Sequence, residues 1–203
     1  MKLYVKRFIF SALLLSIFTL FSTQIALSQD EKKSHTERSS IGNIIHFFTQ
    51  PVDYSKDPVH PSEIVLPLDT LEENGSVEPQ DKILGYIWQS QREPGRTRFE
   101  KAEDGTYLAR ITWVPESEKE TDPKDFRNPD KDLRNRPLIG MVYSSGIVYK
   151  DGKWIAPYMY HPNFGITASK GVFFFNKDGD LIVRGYKWGF SSTECYKLVE
   201  TIR

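Results

Sequence analysis

Apolar and polar residues alternate along much of the chain after residue 80. In the segment 106–114, one face carries the apolar residues Tyr107, Ala109, Ile111 and Trp113. The other face carries the polar residues Thr106, Arg110 and Thr112. A period of two is typical of a β-strand with one face on the core and the other in solvent. Because no helical stripe of useful length accompanies this pattern, it predicts an all-β domain over residues 81–203.

The same reasoning predicts eight strands in this domain. They span residues 83–91, 97–101, 106–114, 138–149 with a break near Ser145, 154–160, 166–176, 181–189 and 193–202. Three Asp-Gly pairs, at 104–105, 151–152 and 178–179, accept the positive φ angles of hairpin turns. Sequential antiparallel strands leave no exposed edge when they close on themselves. The prediction is therefore a single antiparallel up-and-down barrel of about eight strands.

The N-terminal residues have the organisation of a secretory signal peptide. Three basic residues, Lys2, Lys6 and Arg7, precede the apolar run 8–21, and a small-residue cleavage site ends at Ser28. An uncleaved membrane anchor is the alternative, but the apolar run is short for a membrane span. We therefore expect residues 1–28 to be removed and the protein to be exported, either periplasmic or extracellular, without stable membrane insertion after cleavage.

Residues 29–80 are rich in Ser, Pro, Asp and Glu and show no sustained period, which predicts an irregular extension or linker. One apolar segment, 41–48, interrupts it and is too short to form a stable isolated helix. Two interpretations of this segment stay open. It packs on its own domain as a strap, or it docks on a protein partner.

Charge and cysteine content exclude several classes of protein. Without residues 1–28, 24 basic residues remain against 27 acidic ones, a net charge of −3. No broad attraction to nucleic acid or to an anionic membrane is expected at that charge. The single cysteine, Cys195, cannot form an internal disulfide and is expected to be an inert buried thiol.

Several short motifs share their order with a known family. The central ones are DFRNPD at 125–130 and LRNRPLIG at 133–140, and others are ILG at 83–85, ITW at 111–113, YHPNFG at 160–165 and VRGY at 183–186. This set resembles an uncharacterised family of exported bacterial proteins, catalogued as domain of unknown function 2147. The resemblance implies a lipocalin-like barrel and brings no established activity or cofactor.

Two positions depart from the family pattern. The family has Gly-x-Trp on its first strand, whereas this chain has one residue more between Gly85 and Trp88. In a regular strand the extra residue turns Trp88 to the opposite face, unless a β-bulge restores it. In addition, His161 stands where the family has an acidic residue, so a role of that carboxylate does not transfer to this chain.

The segment 125–140 predicts a structural staple that holds a loop on the barrel. Its candidate residues are Asn128, Asp130, Arg134, Arg136 and Gly140. An Arg side chain offers five donors in a rigid fork and can collect loop carbonyls, while nearby Asp side chains supply partners. A calcium loop lacks its turn glycine here and has arginines competing for its carboxylates, so no metal site is predicted. An anion site at the barrel mouth remains the alternative.

Arg184 and Tyr186 are the main candidates for ligand binding. They share a strand face with Ile182 and Trp188, and this face carries more apolar bulk than the face of Val183 and Lys187. If it lies inside, Arg184 holds the anionic head of an amphiphile, because a guanidinium matches carboxylate and phosphate. Trp113 and Phe173 are then expected to line the apolar part of the site. The alternative is an Arg184 that closes one barrel end as a structural plug.

Recognisable catalytic motifs are missing from the sequence, which has no nucleophile elbow, zinc-protease motif, phosphate loop or Cys-x-x-Cys. The predicted function is therefore a non-enzymatic, lipocalin-like barrel that binds a small amphiphilic or apolar ligand and needs no cofactor. The alternative is an envelope interaction protein with a filled barrel, which uses the barrel surface and the segment 41–48. A hydrolase based on His161 is a remote third hypothesis.

Overall fold

The computed structural model describes residues 58–70, 77–115 and 122–202. The predicted signal peptide and the segment 41–48 lie outside the described residues. The described strands are β1 (Tyr86–Ser90), β2 (Arg96–Lys101), β3 (Tyr107–Trp113), β4 (Val142–Lys150), β5 (Lys153–Ala156), β6 (Met159–His161), β7 (Ile166–Ala168), β8 (Lys170–Phe175), β9 (Leu181–Lys187) and β10 (Phe190–Thr201). Short 3-10 helices span Pro61–Glu63, Pro67–Thr70, Pro79–Asp81 and Lys131–Leu133.

Eight of these strands close into a barrel in the order β1-β10-β9-β8-β5-β4-β3-β2. Each strand pairs antiparallel with its neighbours, and β1 closes the ring against β10. The predicted antiparallel up-and-down barrel of eight strands is confirmed. Strands β6 and β7 form a separate two-stranded hairpin, inserted between the barrel neighbours β5 and β8.

Three strand predictions need correction. The predicted strands 154–160 and 166–176 each divide in two, since residues 159–161 and 166–168 leave the barrel to pair with each other. Strand β4 runs through the predicted break near Ser145 without interruption. Gly146 has a φ of 64° there, and the register between β3 and β4 shifts nearby. A β-bulge thus takes the place of the expected break.

A bulge between β1 and β10 accompanies the longer start of the first strand. Ile87 pairs with Glu200 while Trp88 pairs with Leu198, so Val199 is the extra residue. Trp88 is fully buried, with its ring centroid 5.7 Å from that of Tyr86 and 5.8 Å from that of Phe175. Trp88 therefore faces the barrel interior.

Residues 58–70 close one end of the barrel, which we call the closed end. Ile64 and Leu66 are buried in the main core, and Val59 pairs with Phe175 at the end of β8. The Lys82 ammonium, itself buried, donates to the carbonyl of Ile64 and to Asp69 Oδ2, 3.0 Å away. Residues 58–70, part of the predicted irregular extension, thus pack on the barrel, because burial of their apolar side chains is favourable.

Candidate functional site

The opposite end of the barrel, the open end, contains a cavity of about 100 Å³. Its wall combines residues from the barrel strands, the β1–β2 loop and the β6–β7 hairpin. The lining includes Ser90, Glu93, Thr97, Ile111, Tyr143, Met159, His161, Asn163, Val183, Gly185, Ser192, Glu194 and Tyr196. The cavity is thus placed where the barrel strands end and the β6–β7 hairpin crosses them.

The inner wall of the cavity is apolar with a few hydroxyl groups. Ile111, Val183 and Met159 supply apolar surface. The Tyr143 hydroxyl lies 3.2 Å from Thr97 Oγ1, and burial raises the pKa of Tyr143. Burial likewise raises the pKa of Tyr196 well above its ordinary value. Both phenols are therefore neutral at physiological pH and offer hydrogen bonds rather than charge.

Glu194 places a carboxylate in this wall. Its side chain is 7% exposed and lies 3.5 Å from Arg92 Nη2, and it accepts a hydrogen bond of 2.8 Å from Ser90 Oγ. Burial alone would raise the pKa of this carboxyl, but contact with His161, together with Ser90 and Arg92, lowers it below its usual value. Glu194 is therefore ionised at neutral pH.

The β6–β7 hairpin crosses the open end and brings His161 to this carboxylate. His161 Nε2 lies 3.8 Å from Glu194 Oε1 and 3.7 Å from Glu93 Oε2. Asn163 Nδ2 donates to Glu93 Oε2 at 2.6 Å, which fixes the hairpin to the β1–β2 loop. The residue that departs from the family pattern thus lies between two carboxylates at the cavity mouth.

The loop 123–140, called the motif loop below, holds the other side of this hairpin. Asp125, whose side chain is fully buried, accepts hydrogen bonds from Asn128 Nδ2 at 2.7 Å and from Arg136 Nε at 2.9 Å. It also accepts one from the Tyr160 hydroxyl at 2.6 Å. Burial, followed by contact with Asp125, raises the pKa of Tyr160. One carboxylate thus joins the motif loop to strand β6.

The other motif residues shape the loop itself. Arg134 Nε donates to the carbonyl of Asn128 at 2.8 Å, and Asp130 Oδ1 accepts from the backbone N–H of Asp132 at 3.0 Å. Gly140 has a φ of 87°, in the region that favours glycine. These contacts shape the loop, and the acid that pairs with Arg136 is Asp125, one of the nearby Asp side chains expected as partners.

The hairpin also approaches the motif loop through backbone contact. Gly165 has a φ of 63°, and a Cβ at this position would lie 1.9 Å from the carbonyl oxygen of Arg127. Arg127 Nη1 in turn donates to the carbonyl of Asn163 at 2.8 Å. The glycine permits the close contact that seats the hairpin tip.

The structure places Arg184 and Tyr186 on the outer face of β9, so their expected interior orientation is wrong. Val183 and Gly185 line the cavity instead. Arg184 Nε donates to Thr193 Oγ1 at 3.0 Å, and its guanidinium lies 5.4 Å from the centroid of Phe174.

The cause of the error is a second apolar cluster. Val172, Phe174 and Ile182 form this cluster separately from the main core, with Tyr186 and Cys195 packed against it. Cys195 is only half-buried, with its Sγ 3.6 Å from Asp180 Oδ2. Apolar bulk therefore does not identify the interior face of β9.

Trp113 and Phe173 do not line the cavity. Phe173 is fully buried in the main core, with its ring centroid 5.1 Å from that of Phe99. The Trp113 ring carries the Arg96 guanidinium 4.9 Å from its centroid. Glu93 and Glu194, which lie at the cavity, were not singled out from the sequence.

The described residues contain neither a metal-binding cluster of side chains nor a membrane-spanning helix. Within residues 58–70, 77–115 and 122–202, no group of three or more His, Cys, Asp or Glu side chains is arranged to hold a metal ion. In the same part of the chain, no helix is long and apolar enough to cross a membrane.

Comparison with known proteins identifies the family. Residues 86–197, more than half of the chain, match the family described as "Uncharacterized protein conserved in bacteria" (DUF2147). The chain belongs to this family, and its eight-stranded up-and-down barrel is lipocalin-like in architecture. No curated protein sequence matches the chain.

Among solved structures, the chain is similar to protein HP1028 from Helicobacter pylori, which its title assigns to the lipocalin family. It shares 24% sequence identity with the chain at a TM-score of 0.48. The match covers 58% of this chain and 83% of HP1028.

Proposed function

We propose that the protein is a non-enzymatic barrel that binds a small, mainly apolar molecule in the cavity at its open end. The observation that carries this proposal is the lining of the cavity: apolar walls with a few convergent hydroxyls and one buried carboxylate. Binding sites for small molecules typically combine such walls with a small number of placed polar groups.

The size of the cavity limits the ligand. About 100 Å³ is less than the roughly 300–1,000 Å³ typical of pockets for drug-sized molecules. It approaches the roughly 150 Å³ of an engineered cavity that binds benzene. The rest of the barrel interior is filled by Trp88, Trp154, Phe173 and Phe175. The bound group is therefore a single ring or a short chain, and a long acyl chain does not fit inside.

Glu194 favours a ligand with a hydrogen-bond donor. An ionised carboxylate accepts hydrogen bonds from an amine or a hydroxyl and repels another carboxylate. The hydroxyls of Tyr143 and Tyr196 add neutral polar contacts around it, and His161 adds a further polar side chain. We therefore expect the ligand to carry an amine or alcohol group, in place of the anionic head group that an interior Arg184 would favour.

A matched series of three probes tests this proposal. Benzylamine, benzyl alcohol and benzoate have the same ring and differ in their polar group. Calorimetric titration should show that benzylamine and benzyl alcohol bind, with benzoate at least tenfold weaker, about 1.4 kcal/mol. Absence of binding by all three, together with no small molecule in an organic extract of native protein, would overturn the proposal.

Two variants localise the binding. Val183→Phe adds a ring to the cavity wall and should abolish binding of benzylamine. Val148→Phe adds the same ring to a residue of β4 that is 47% exposed, and it should bind like the wild type. Equal binding by both variants would place the ligand outside the cavity.

We also propose that the protein is exported. The basic, apolar and small-residue segments within residues 1–28 support this. N-terminal sequencing of the protein recovered from outside the cytoplasm should begin at Gln29. Recovery with Met1 retained would contradict cleavage.

A further inference from the structure

Two large aromatic side chains are exposed at the turn between β9 and β10. Trp188 is 75% exposed and Phe190 is 55% exposed. Single exposed apolar residues are ordinary on protein surfaces, but two large rings on one turn form a patch. We call residues 187–190 the aromatic turn. Such a patch indicates a binding partner that accepts apolar rings.

The turn does not need a tryptophan for its own geometry. Trp188 has a φ of 52° and Gly189 a φ of 81°, so both central residues are in the left-handed region. Hairpin turns of this kind favour Asn, Asp or Gly at the first position, because bulky side chains are strained there. Neither core packing nor turn formation therefore accounts for the Trp188 ring.

The aromatic turn lies beside the cavity mouth. Gly185 and Ser192, which line the cavity, are a register pair of β9 and β10. The two strands continue past this pair for only two residues before they meet at Trp188 and Gly189. The Lys187 ammonium donates to the carbonyl of Thr167, in the hairpin that crosses the mouth. A partner bound at the aromatic turn is therefore adjacent to the opening.

Positive charge accompanies the rings. Lys187 Nζ lies 4.7 Å from the centroid of Trp188, and Lys170 Nζ lies 5.7 Å from that of Tyr186. Tryptophan and tyrosine are enriched at membrane–water interfaces, where the ring meets the acyl boundary and the polar edge meets water. Lysines next to such rings are attracted to anionic lipid headgroups.

We infer that the aromatic turn docks the protein on an anionic lipid bilayer, with the cavity mouth next to the membrane surface. The rings of Trp188 and Phe190 enter the interface, and Lys170 and Lys187 contact the headgroups. The net charge of −3 expected for residues 29–203 does not attract the protein as a whole to an anionic bilayer. The attraction therefore comes from the local positive charge of Lys170 and Lys187. An apolar ligand then passes between bilayer and cavity without crossing bulk water.

Vesicle co-sedimentation tests the inference. The wild type should bind vesicles of mixed phosphatidylglycerol and phosphatidylcholine, and bind pure phosphatidylcholine vesicles more weakly. The double variant Trp188→Ser/Phe190→Ser should bind the mixed vesicles at least tenfold more weakly. Lys170→Gln/Lys187→Gln should remove the difference between the two lipid compositions.

A control variant separates the aromatic turn from the rest of the chain. Val148→Ser changes an exposed apolar residue near the closed end and should bind vesicles like the wild type. All variants and the wild type begin at the same N-terminal residue, so that the N-terminal segment contributes equally to each. Circular dichroism melts establish that every variant is folded. Absence of wild-type binding, or equal binding by the wild type and Trp188→Ser/Phe190→Ser, would overturn the inference. Since the probe titrations are performed without lipid, they report on the cavity separately.

Discussion

The two ends of the barrel differ in how their interiors are filled. Towards the closed end the ring of Phe175 contacts those of Trp154 and Trp88, with centroid distances of 5.5 Å and 5.8 Å. At the open end the interior holds a cavity, hydroxyl groups and the ionised Glu194. The same ring of strands thus carries a packed half and an incompletely packed half. The hydroxyl groups and Glu194 in the incompletely packed half do not contribute to core packing, as expected for a functional site.

The packed half should carry most of the stability. Phe173→Ala removes a fully buried ring and leaves a void, which typically costs about 3–5 kcal/mol. Denaturant unfolding should show this loss. Ile111→Val removes one methylene at the cavity wall and should cost about 1 kcal/mol or less, so similar losses for the two variants would contradict the comparison.

The motif loop should act on stability through Asp125. Arg136→Ala leaves this fully buried carboxylate without its charged partner, which typically costs about 3–5 kcal/mol. Because the Arg136 side chain is 35% exposed, we expect the lower end of that range. Thermal melts of Arg136→Ala and of Arg134→Ala provide the measurement. Arg134 donates to a carbonyl, so its loss should cost only about 1 kcal/mol.

A different result would assign the motif loop to the cavity. If Arg136→Ala melts like the wild type but no longer binds benzylamine, the staple interpretation is wrong. If Arg136→Ala loses both stability and benzylamine binding, the β6–β7 hairpin has been displaced. Tyr160→Phe removes one hydrogen bond to Asp125 and should then show the same two losses more weakly.

The smallest effect should appear in the pH dependence of stability. The folded-state pKa of Glu194 lies below its unfolded value, so its contribution is fully present above the unfolded pKa. That contribution is lost as the pH falls through the lower folded pKa. Melting temperatures of the wild type should therefore fall more steeply below about pH 4.5 than those of Glu194→Gln. Parallel curves for the two proteins would show that Glu194 is not stabilised as an anion.

The alternation of residues was sufficient to predict the barrel, but not which face of every strand lies inside. On β3, Tyr107, Ala109 and Ile111 are buried in the main core, so this strand follows the predicted pattern as far as Ile111. On β9, Ile182 is fully buried in the outer cluster, so both faces of the strand are apolar. The alternation of residues therefore does not identify which face of β9 is interior. The misplacement of Arg184 follows directly from this.

Glu194 can be recognised from the sequence only when the inward face of β10 is already known. It shares its face with Ser192, Tyr196 and Leu198, and a lone carboxylate on an inward face indicates a functional group. Glu93 gave no such signal, since its place at the mouth depends on the β6–β7 hairpin folding across the barrel. Contacts made by an inserted hairpin do not follow from local periodicity.

The β6–β7 hairpin has a consequence for local opening of the native state. Its three residue pairs lie in a sheet of their own, while β5 pairs directly with β8 in the barrel. The hairpin can therefore detach without breaking the ring of interstrand hydrogen bonds, and its opening free energy can be smaller than that of global unfolding. Amide hydrogens of Met159–His161 should exchange with solvent faster than those of Lys170–Phe175 in native-state exchange experiments. The barrel would then expose its cavity through a subglobal motion of one small cooperative unit.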